Sequence, residues 1–278
     1  MDWRLLLGIL VGSLALTCMN VGKGIQKLKV QVLTHGRAMI APPHRRDFLI
    51  WLSGILLTAS SSILLSVALW IAQKTSVVSS MAGVGLVALI VFAHFVLHER
   101  IGAVEIGGST LVIAGTAVLG ALGGGARAAQ VYHPEGFYRA LAAFVVVFGV
   151  LTTYTVVTRK LHGLIFGGLA GTLAGLALIL ANVALARAGN SLIGQLATVH
   201  VYLAMAIGAA AMAITQYAFL HGRAVEVVPS FNSFYILAPA CMETFTFQTR
   251  LPPLQIAGMA VIVAGVIVLS ATRDRTIG

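Results

Sequence analysis

Long apolar segments follow one another along this chain, and few charges lie inside them. A transmembrane helix needs about 20 mostly apolar residues to cross roughly 30 Å of hydrocarbon. Because nine segments have that length, we predict an all-α, polytopic membrane protein with nine transmembrane helices. The predicted spans cover residues 3–22, 48–73, 76–98, 102–123, 138–158, 163–187, 194–220, 225–248 and 252–272.

Composition supports the membrane prediction. Of the 278 residues, 59% are hydrophobic and 9% are charged, whereas a soluble domain carries about 25% charged residues. Because the connections between the spans are short, we predict one transmembrane domain over residues 1–278. Cys18 and Cys241 both lie in apolar segments and indicate no disulfide framework. These features exclude a cytosolic enzyme and a secreted disulfide-rich module.

The net charge of +10 arises from Lys and Arg residues between the apolar segments rather than on one amphipathic face. These residues indicate topology, and no nucleic-acid partner is expected. If the N-terminus lies outside, about two thirds of the 18 basic residues lie inside. We therefore predict a multi-pass protein of the cell membrane (inner or plasma membrane), with an external N-terminus and a cytoplasmic C-terminus. Membrane lipids are expected partners, because the loop from Lys23 to Arg46 attracts anionic headgroups.

An internal repeat divides the chain. Residues 76–121 align without a gap on residues 226–271, at a constant offset of 150. The identical pairs include Arg100 with Arg250, Gly108 with Gly258, and Gly115 with Gly265. The alignment predicts two halves, at about 1–123 and 138–272.

The two copies lie five predicted helices apart. Because five is odd, the second copy crosses the membrane in the opposite sense to the first. Inverted repeats of this kind are typical of secondary transporters, whose halves open a central site to one side and then to the other. The alternative is that two apolar helical hairpins align through shared composition.

A short motif ends the third predicted helix and continues into the fourth. It consists of His98, Glu99 and Arg100, followed by Gly107, Gly108 and Gly115. The motif resembles the ending of the EamA repeat in the drug/metabolite transporter superfamily. The second copy keeps Arg250, Gly258 and Gly265 but has Thr249 in place of the acidic residue. The resemblance implies a transporter fold built from inverted halves.

A second group of residues is similar to the NIPA-type magnesium transporter branch, which has nine helices. The group comprises Asn20, Gly22, Lys23, Gly24 and Lys27 with the basic loop after them, Trp51, Gly54, Gln216, Tyr217 and Leu220. The prolines that this branch would place in the third helix are absent between Ser76 and Phe92. The resemblance implies Mg²⁺ as a substrate, while a metabolite or drug suits the apolar and aromatic lining at least as well.

Glu243 is the first candidate for substrate binding or coupling, because it is the charged side chain placed most clearly within a predicted span. A carboxylate at membrane depth costs about 3 kcal/mol unless it is paired, neutralised or hydrated. We expect Glu243 to exchange a proton during transport or to contact a cationic substrate. The alternative places it near the outer interface, within reach of Arg250.

Other polar side chains at membrane depth are candidates for lining the same cavity. Each alone more often forms a hydrogen bond to a neighbouring helix than binds a ligand. They are Asn20, Asn182, His200, Gln216, Tyr217, Asn232 and Tyr235. His94 is a further candidate, and its i, i+4 spacing from His98 alone provides too few ligands for a metal site. No metal or cofactor is therefore expected.

Glycines recur every fourth residue in the sixth predicted helix, at Gly163, Gly167, Gly171 and Gly175. This spacing predicts close packing of helices within the bundle, with a homodimer through the same face as the alternative.

The sequence contains no phosphate-binding glycine loop, no nucleophile elbow and no paired carboxylates, so no catalytic residue is expected. We expect a secondary transporter that moves a small molecule or cation by alternating access. The alternatives are a flippase for a lipid-linked substrate and a non-transporting structural subunit.

Overall fold

A computed structural model of the protein describes residues 3–72, 82–122, 134–188, 191, 193–247 and 252–270. Within these ranges the chain forms nine α-helices, two 3₁₀ segments and no strand, which confirms the all-α prediction for this part of the protein. The helices are α1 (Trp3–Lys29), α2 (Pro42–Ala72), α3 (Ala82–Phe95), α4 (Ala103–Leu122), α5 (Pro134–Thr158), α6 (His162–Arg187), α7 (Val199–His221), α8 (Ala224–Phe247) and α9 (Pro253–Ser270).

Six helical segments among the described residues are long and apolar enough to cross a membrane, which indicates a membrane-embedded protein. They are Leu6–Ile40, Pro42–Leu65, Tyr138–Thr158, His162–Ala181, Val199–His221 and Pro253–Ser270. Shorter apolar segments, Gly83–Phe95 and Ala103–Leu119, lie in α3 and α4. Helix α8 has sufficient length, with 24 residues, but Glu226 and Asn232 lower its hydropathy. The count of nine spans therefore stays a prediction.

Two helix ends differ from the predicted spans. Helix α1 continues to Lys29 instead of ending near residue 22, and a 3₁₀ segment, Val30–Ile40, follows it. Helix α3 ends at Phe95, where a span to residue 98 was predicted. It ends there because His98 takes a left-handed backbone conformation (φ 53°). That turn lets the Glu99 N–H donate a hydrogen bond to the Ala93 carbonyl at 3.0 Å.

The chain forms two compact units. Unit 1 comprises Met1–Arg127, Gly222–Pro229 and Pro252–Gly278, and unit 2 comprises Ala128–His221 and Ser230–Leu251. In unit 1, α1 packs against α2 and α3, and α4 packs against α9. In unit 2, α6 packs against α5, α7 and the part of α8 that follows Pro229.

Helices α1 and α2 meet at two glycines. A Cβ atom added to Gly54 would lie 2.7 Å from the Gly22 carbonyl oxygen, so the backbones touch. Next to this contact, the Gln26 Nε2 atom donates hydrogen bonds to the Gly54 carbonyl (3.1 Å) and to the Thr58 hydroxyl (2.9 Å). Polar bonds of this kind supplement packing between helices in an apolar medium.

Helices α4 and α9 also make close contact through glycines. A Cβ atom added to Gly108 would lie 3.0 Å from the Gly265 carbonyl oxygen, and one added to Gly115 would lie 2.6 Å from the Gly258 carbonyl oxygen. The contact on α9 moves backward along the chain as the contact on α4 moves forward. The two helices therefore run antiparallel.

In unit 2, α6 and α8 pack closely through two of the glycines that recur every fourth residue. A Cβ atom added to Gly171 would collide with the Phe231 carbonyl, and one added to Gly175 would lie 2.8 Å from Cδ of Pro239. Gly168, outside the predicted series, faces the Phe234 ring in the same way. These glycines therefore form contacts inside unit 2.

Candidate functional site

In unit 1 the structure places one predicted site residue inside and one at the surface. Asn20 is fully buried in α1, and its Nδ2 atom donates a hydrogen bond to the Leu16 carbonyl at 2.9 Å. It lies against α3, because a Cβ atom added to Gly85 would be 2.5 Å from Nδ2. His94 is exposed, and its ring makes an edge contact with Phe95.

In unit 2 the predicted residues of α7 occupy different environments. Gln216 is buried. Tyr217 is 40% exposed, and its ring contacts the rings of Phe166 (centroids 4.7 Å apart) and His221 (4.3 Å). His200 lies in the first turn, and its buried Nδ1 atom has no hydrogen-bond partner within the part of the chain that the structure describes.

The predicted residues of α8 are partly buried. Asn232 follows the Phe231 carbonyl that meets Gly171, and the Tyr235 ring stacks on that of Phe231 with centroids 6.1 Å apart. The backbones of Asn182 and Glu243 lie in α6 and α8, but their side chains lie outside what the structure describes. The roles proposed for these two residues therefore stay predictions.

A group of charged side chains in unit 1 forms the most connected polar site in the described residues. We call it the charged cluster, and its members are Lys27, Glu99, Glu105, Arg223 and Glu226. They come from α1, the segment between α3 and α4, the start of α4 and the start of α8. Sequence analysis identified none of them as an interacting group.

Arg223 is the centre of the charged cluster. Its Nη2 atom bonds to Oε1 of Glu105 at 2.9 Å, and its Nε atom bonds to Oε1 of Glu226 at 2.8 Å. Its Nη1 atom donates to the Arg100 carbonyl at 3.1 Å. Burial opposes the charged form of Arg223, but the hydrogen bonds to the two carboxylates outweigh it and raise the pKa of this residue. One guanidinium thus joins the starts of α4 and α8.

Glu99 caps helix α8. Its Oε1 atom accepts the Ala224 N–H at 2.7 Å, and its Oε2 atom accepts the Val225 N–H at 3.1 Å. These are two of the four N–H groups that a helix start leaves without an internal partner, and a carboxylate there also interacts favourably with the helix dipole. Burial raises the pKa of Glu99, while the two N–H groups and the charges of Lys27 and Arg223 counteract part of the increase.

Lys23 is a buried residue that the predicted spans placed in an exposed loop. Only 4% of it is exposed, and it lies in the apolar segment Leu6–Ile40. Gly22 packs against α2 and Gly24 packs against α3, so residue 23 lies between those contacts. Polar residues at Asn20, Lys23 and Lys27, spaced three and four apart, would have indicated this polar face.

The charged cluster sets two cationic side chains against three carboxylates within unit 1. Hydrogen bonds of Arg223 and Glu99 join the segment between α3 and α4 to the starts of α4 and α8. No group of three or more His, Cys, Asp or Glu side chains among the described residues has the arrangement needed to hold a metal ion.

Comparison of the chain with protein-family models, curated proteins and solved structures gave no significant match.

The direction of the Glu99 pKa predicts a pH dependence of stability. Because the folded protein holds the Glu99 proton more tightly than the unfolded chain, this contribution is complete below the ordinary pKa of 4.5 and is lost as pH rises through the folded pKa. The stability of the wild type relative to Glu99→Gln should therefore decrease from about pH 4.5 upward. Thermal unfolding of both proteins in detergent between about pH 4 and pH 8 measures this difference.

Arg37→Gln is the control, because Arg37 is exposed and an arginine does not titrate in this range. A wild-type advantage over Glu99→Gln that grows with pH would contradict the assigned direction.

Proposed function

We propose that the protein is a secondary transporter with the inverted-repeat architecture of the drug/metabolite transporter superfamily, moving a small solute by alternating access. The observation that carries this proposal is the reciprocal contact between α4 and α9. Gly258 and Gly265 follow Gly108 and Gly115 by 150 residues each. Gly108 meets Gly265, and Gly115 meets Gly258.

Each glycine has a counterpart in the other copy, 150 residues away. If both glycines of the contact Gly108–Gly265 are exchanged for their counterparts, the result is the contact Gly115–Gly258. A twofold axis between two similar units produces contacts of this kind, in which residue i of one unit meets residue j of the other and j meets i. Val112 and Ile262, another pair at the same offset, follow the same rule: Val112 lies beside Gly265 and Ile262 lies beside Gly115. The antiparallel course of α4 and α9 is the direction that inverted copies require.

The packing order within each unit gives independent support. Helix α1 packs against α2 and α3, and α6 packs against α7 and α8. The second set follows the first by five helices, the same number that separates the two copies in the sequence. Both sets use glycines on the first helix for close contact, Gly22 and Gly24 in α1 and Gly171 and Gly175 in α6.

The charged cluster suits a transporter whose cycle breaks and re-forms the hydrogen bonds of Arg223. Under the predicted topology, Glu99 and Arg223 lie on the cytoplasmic side. The bonds of Arg223 join the starts of α4 and α8, which belong to different copies of the repeat, so we propose that they hold the two copies together at that end. The substrate class is a small solute, with Mg²⁺ among the cations implied by the resemblance to the NIPA-type branch.

Flux into proteoliposomes tests the function. We expect uptake above that of empty liposomes for at least one of three probes, namely Mg²⁺, tetraphenylphosphonium and a mixture of amino acids. We expect the same probe to shift the thermal unfolding of the purified protein. The control variant Arg139→Gln should transport normally, because Arg139 and its partner Glu135 are both largely exposed.

Single-cysteine labelling in the same vesicles tests the architecture separately. Ala103 and Pro253 occupy equivalent positions at the starts of α4 and α9. In a background without Cys18 and Cys241, a membrane-impermeant maleimide should reach Ala103→Cys and Pro253→Cys from opposite sides. Labelling from one side would reject the inverted repeat, while opposite labelling without any flux or ligand-induced shift would favour the non-transporting subunit.

A further inference from the structure

Helix α2 carries polar side chains in its first turns and exposed apolar side chains in the turns that follow. An open groove of about 520 Å³ is lined by Pro42, Arg45, Arg46, Leu49, Ile50 and Ser53. These residues recur at spacings of three and four, so they lie along one side of the helix. The helix is apolar enough to cross a membrane from Pro42 to Leu65, and little of this segment is buried within the protein. The groove therefore opens toward the surroundings of the helix.

The charges beside this groove are mainly positive. Arg45 and Arg46 are both exposed. The carboxylate that follows them, Asp47, is bonded to Lys29 at 2.7 Å, so it is already neutralised by another cation. The two arginines can therefore bind an external anion, and a guanidinium matches the geometry of a phosphate group well.

An apolar line continues from the groove along α2. Leu49, Leu56 and Ile63 are 52%, 61% and 69% exposed. They are seven residues apart, which places them on one face over four helical turns. Phe48 and Trp51 lie near the arginines, with ring centroids 5.8 Å apart, and aromatic rings of this kind concentrate at the level of the lipid headgroups.

We propose that this face of α2 binds one anionic glycerophospholipid. The phosphate group contacts Arg45 and Arg46 in the groove, and an acyl chain lies along Leu49, Leu56 and Ile63. The lipid matches this face in charge and in shape. Its anionic headgroup lies where the arginines are, and its apolar tail follows the exposed leucine and isoleucine side chains. This proposal depends on membrane embedding and does not depend on transport.

Native mass spectrometry of the purified protein tests the site. Phosphatidylglycerol and phosphatidylcholine with identical acyl chains are the probes. We expect tighter binding of phosphatidylglycerol, and a loss of about fivefold in its affinity for each arginine replaced in Arg45→Gln/Arg46→Gln. Phosphatidylcholine binding should change much less, because its headgroup has no net charge.

Two controls separate this site from general effects of charge. Arg139→Gln/Arg159→Gln removes two exposed arginines outside the loop Lys23–Arg46 and should leave phosphatidylglycerol binding unchanged. Arg45→Lys/Arg46→Lys should retain most of the binding, which shows that the tested surface is intact. Equal losses in the two glutamine variants, or no loss in either, would overturn the proposal.

The acyl contact is tested with glycerol 3-phosphate, which carries the phosphate group without a tail. We expect it to bind much more weakly than phosphatidylglycerol, and Leu56→Ser to weaken only the lipid. If glycerol 3-phosphate binds as tightly as the lipid, the site is a phosphate site and the proposed lipid occupancy is wrong.

Discussion

Gly115→Val is expected to lower the free energy of unfolding by about 3 kcal/mol, at the upper end of the usual cost of overpacking a close contact. The added Cβ atom would lie 2.6 Å from the Gly258 carbonyl oxygen and 2.9 Å from the Ile262 backbone nitrogen. Neither atom can turn aside as the end of a side chain can, so α4 and α9 must separate. The loss is measured by thermal unfolding in detergent, together with the monodisperse fraction in size-exclusion chromatography.

Gly107→Val is the matched control, because the position lies two turns earlier in the same helix and an added Cβ atom meets nothing within 4 Å. Its stability should change by less than about 0.5 kcal/mol. Gly258→Val should fall between the two, since the nearest atom there is a side-chain carbon of Val118 at 3.0 Å. Similar losses at Gly107 and Gly115 would show that the reciprocal contact does not hold the two helices together.

The helices belong to the part of the fold that the sequence predicts well, whereas the glycine contact between α4 and α9 does not. Apolar length identifies a helix in lipid because backbone hydrogen bonds have no other partner there. The offset of 150 residues pairs Gly108 with Gly258 and Gly115 with Gly265. It gives no direct indication that each glycine meets the counterpart of the other one, because this depends on where the helices cross.

The ends of the helices were predicted less well, for a local reason. The predicted span ends at the first lysine because hydropathy decreases there, whereas the helix itself ends where its backbone hydrogen bonds stop. Helix α1 therefore continues through Lys23 and Lys27 to Lys29. The same difference hid the burial of Lys23, since a lysine within a helix that is packed on both sides is not exposed even when it follows the predicted span.

The charged cluster was not predictable as a whole. Part of it is local: Glu105 accepts the Gly102 N–H three residues before it at 2.9 Å, a helix-start pattern that can be read from the sequence. The rest joins positions far apart in the chain, since Arg223 meets Glu105 over 118 residues and Ala224 meets Glu99 over 125. No periodicity or spacing encodes such pairs, because tertiary packing brings them together.

Arg223→Gln is expected to destabilise unit 1 by about 2–3 kcal/mol. Removing one partner of a buried ion pair costs about 3–5 kcal/mol, because the remaining charge stays desolvated, and we lower this value because 29% of the Arg223 side chain is exposed. The side chains of Glu105 and Glu226 are 10% and 13% exposed, so water replaces the lost guanidinium poorly. Thermal unfolding at about pH 7 in detergent measures the change.

The pair Glu135–Arg139 provides a control within the same chain. Its atoms are 3.3 Å apart, but its side chains are 84% and 80% exposed, so water and salt screen both charges. Arg139→Gln should therefore cost at most about 0.5 kcal/mol. If Arg223→Gln costs no more than this control, the cluster is a solvated surface network, and its proposed role in holding the two copies of the repeat together fails. A large loss that Arg223→Lys restores only in part would instead show that the planar guanidinium is required. A single ammonium cannot reproduce the fixed geometry with which Arg223 binds two carboxylates and the Arg100 carbonyl at once.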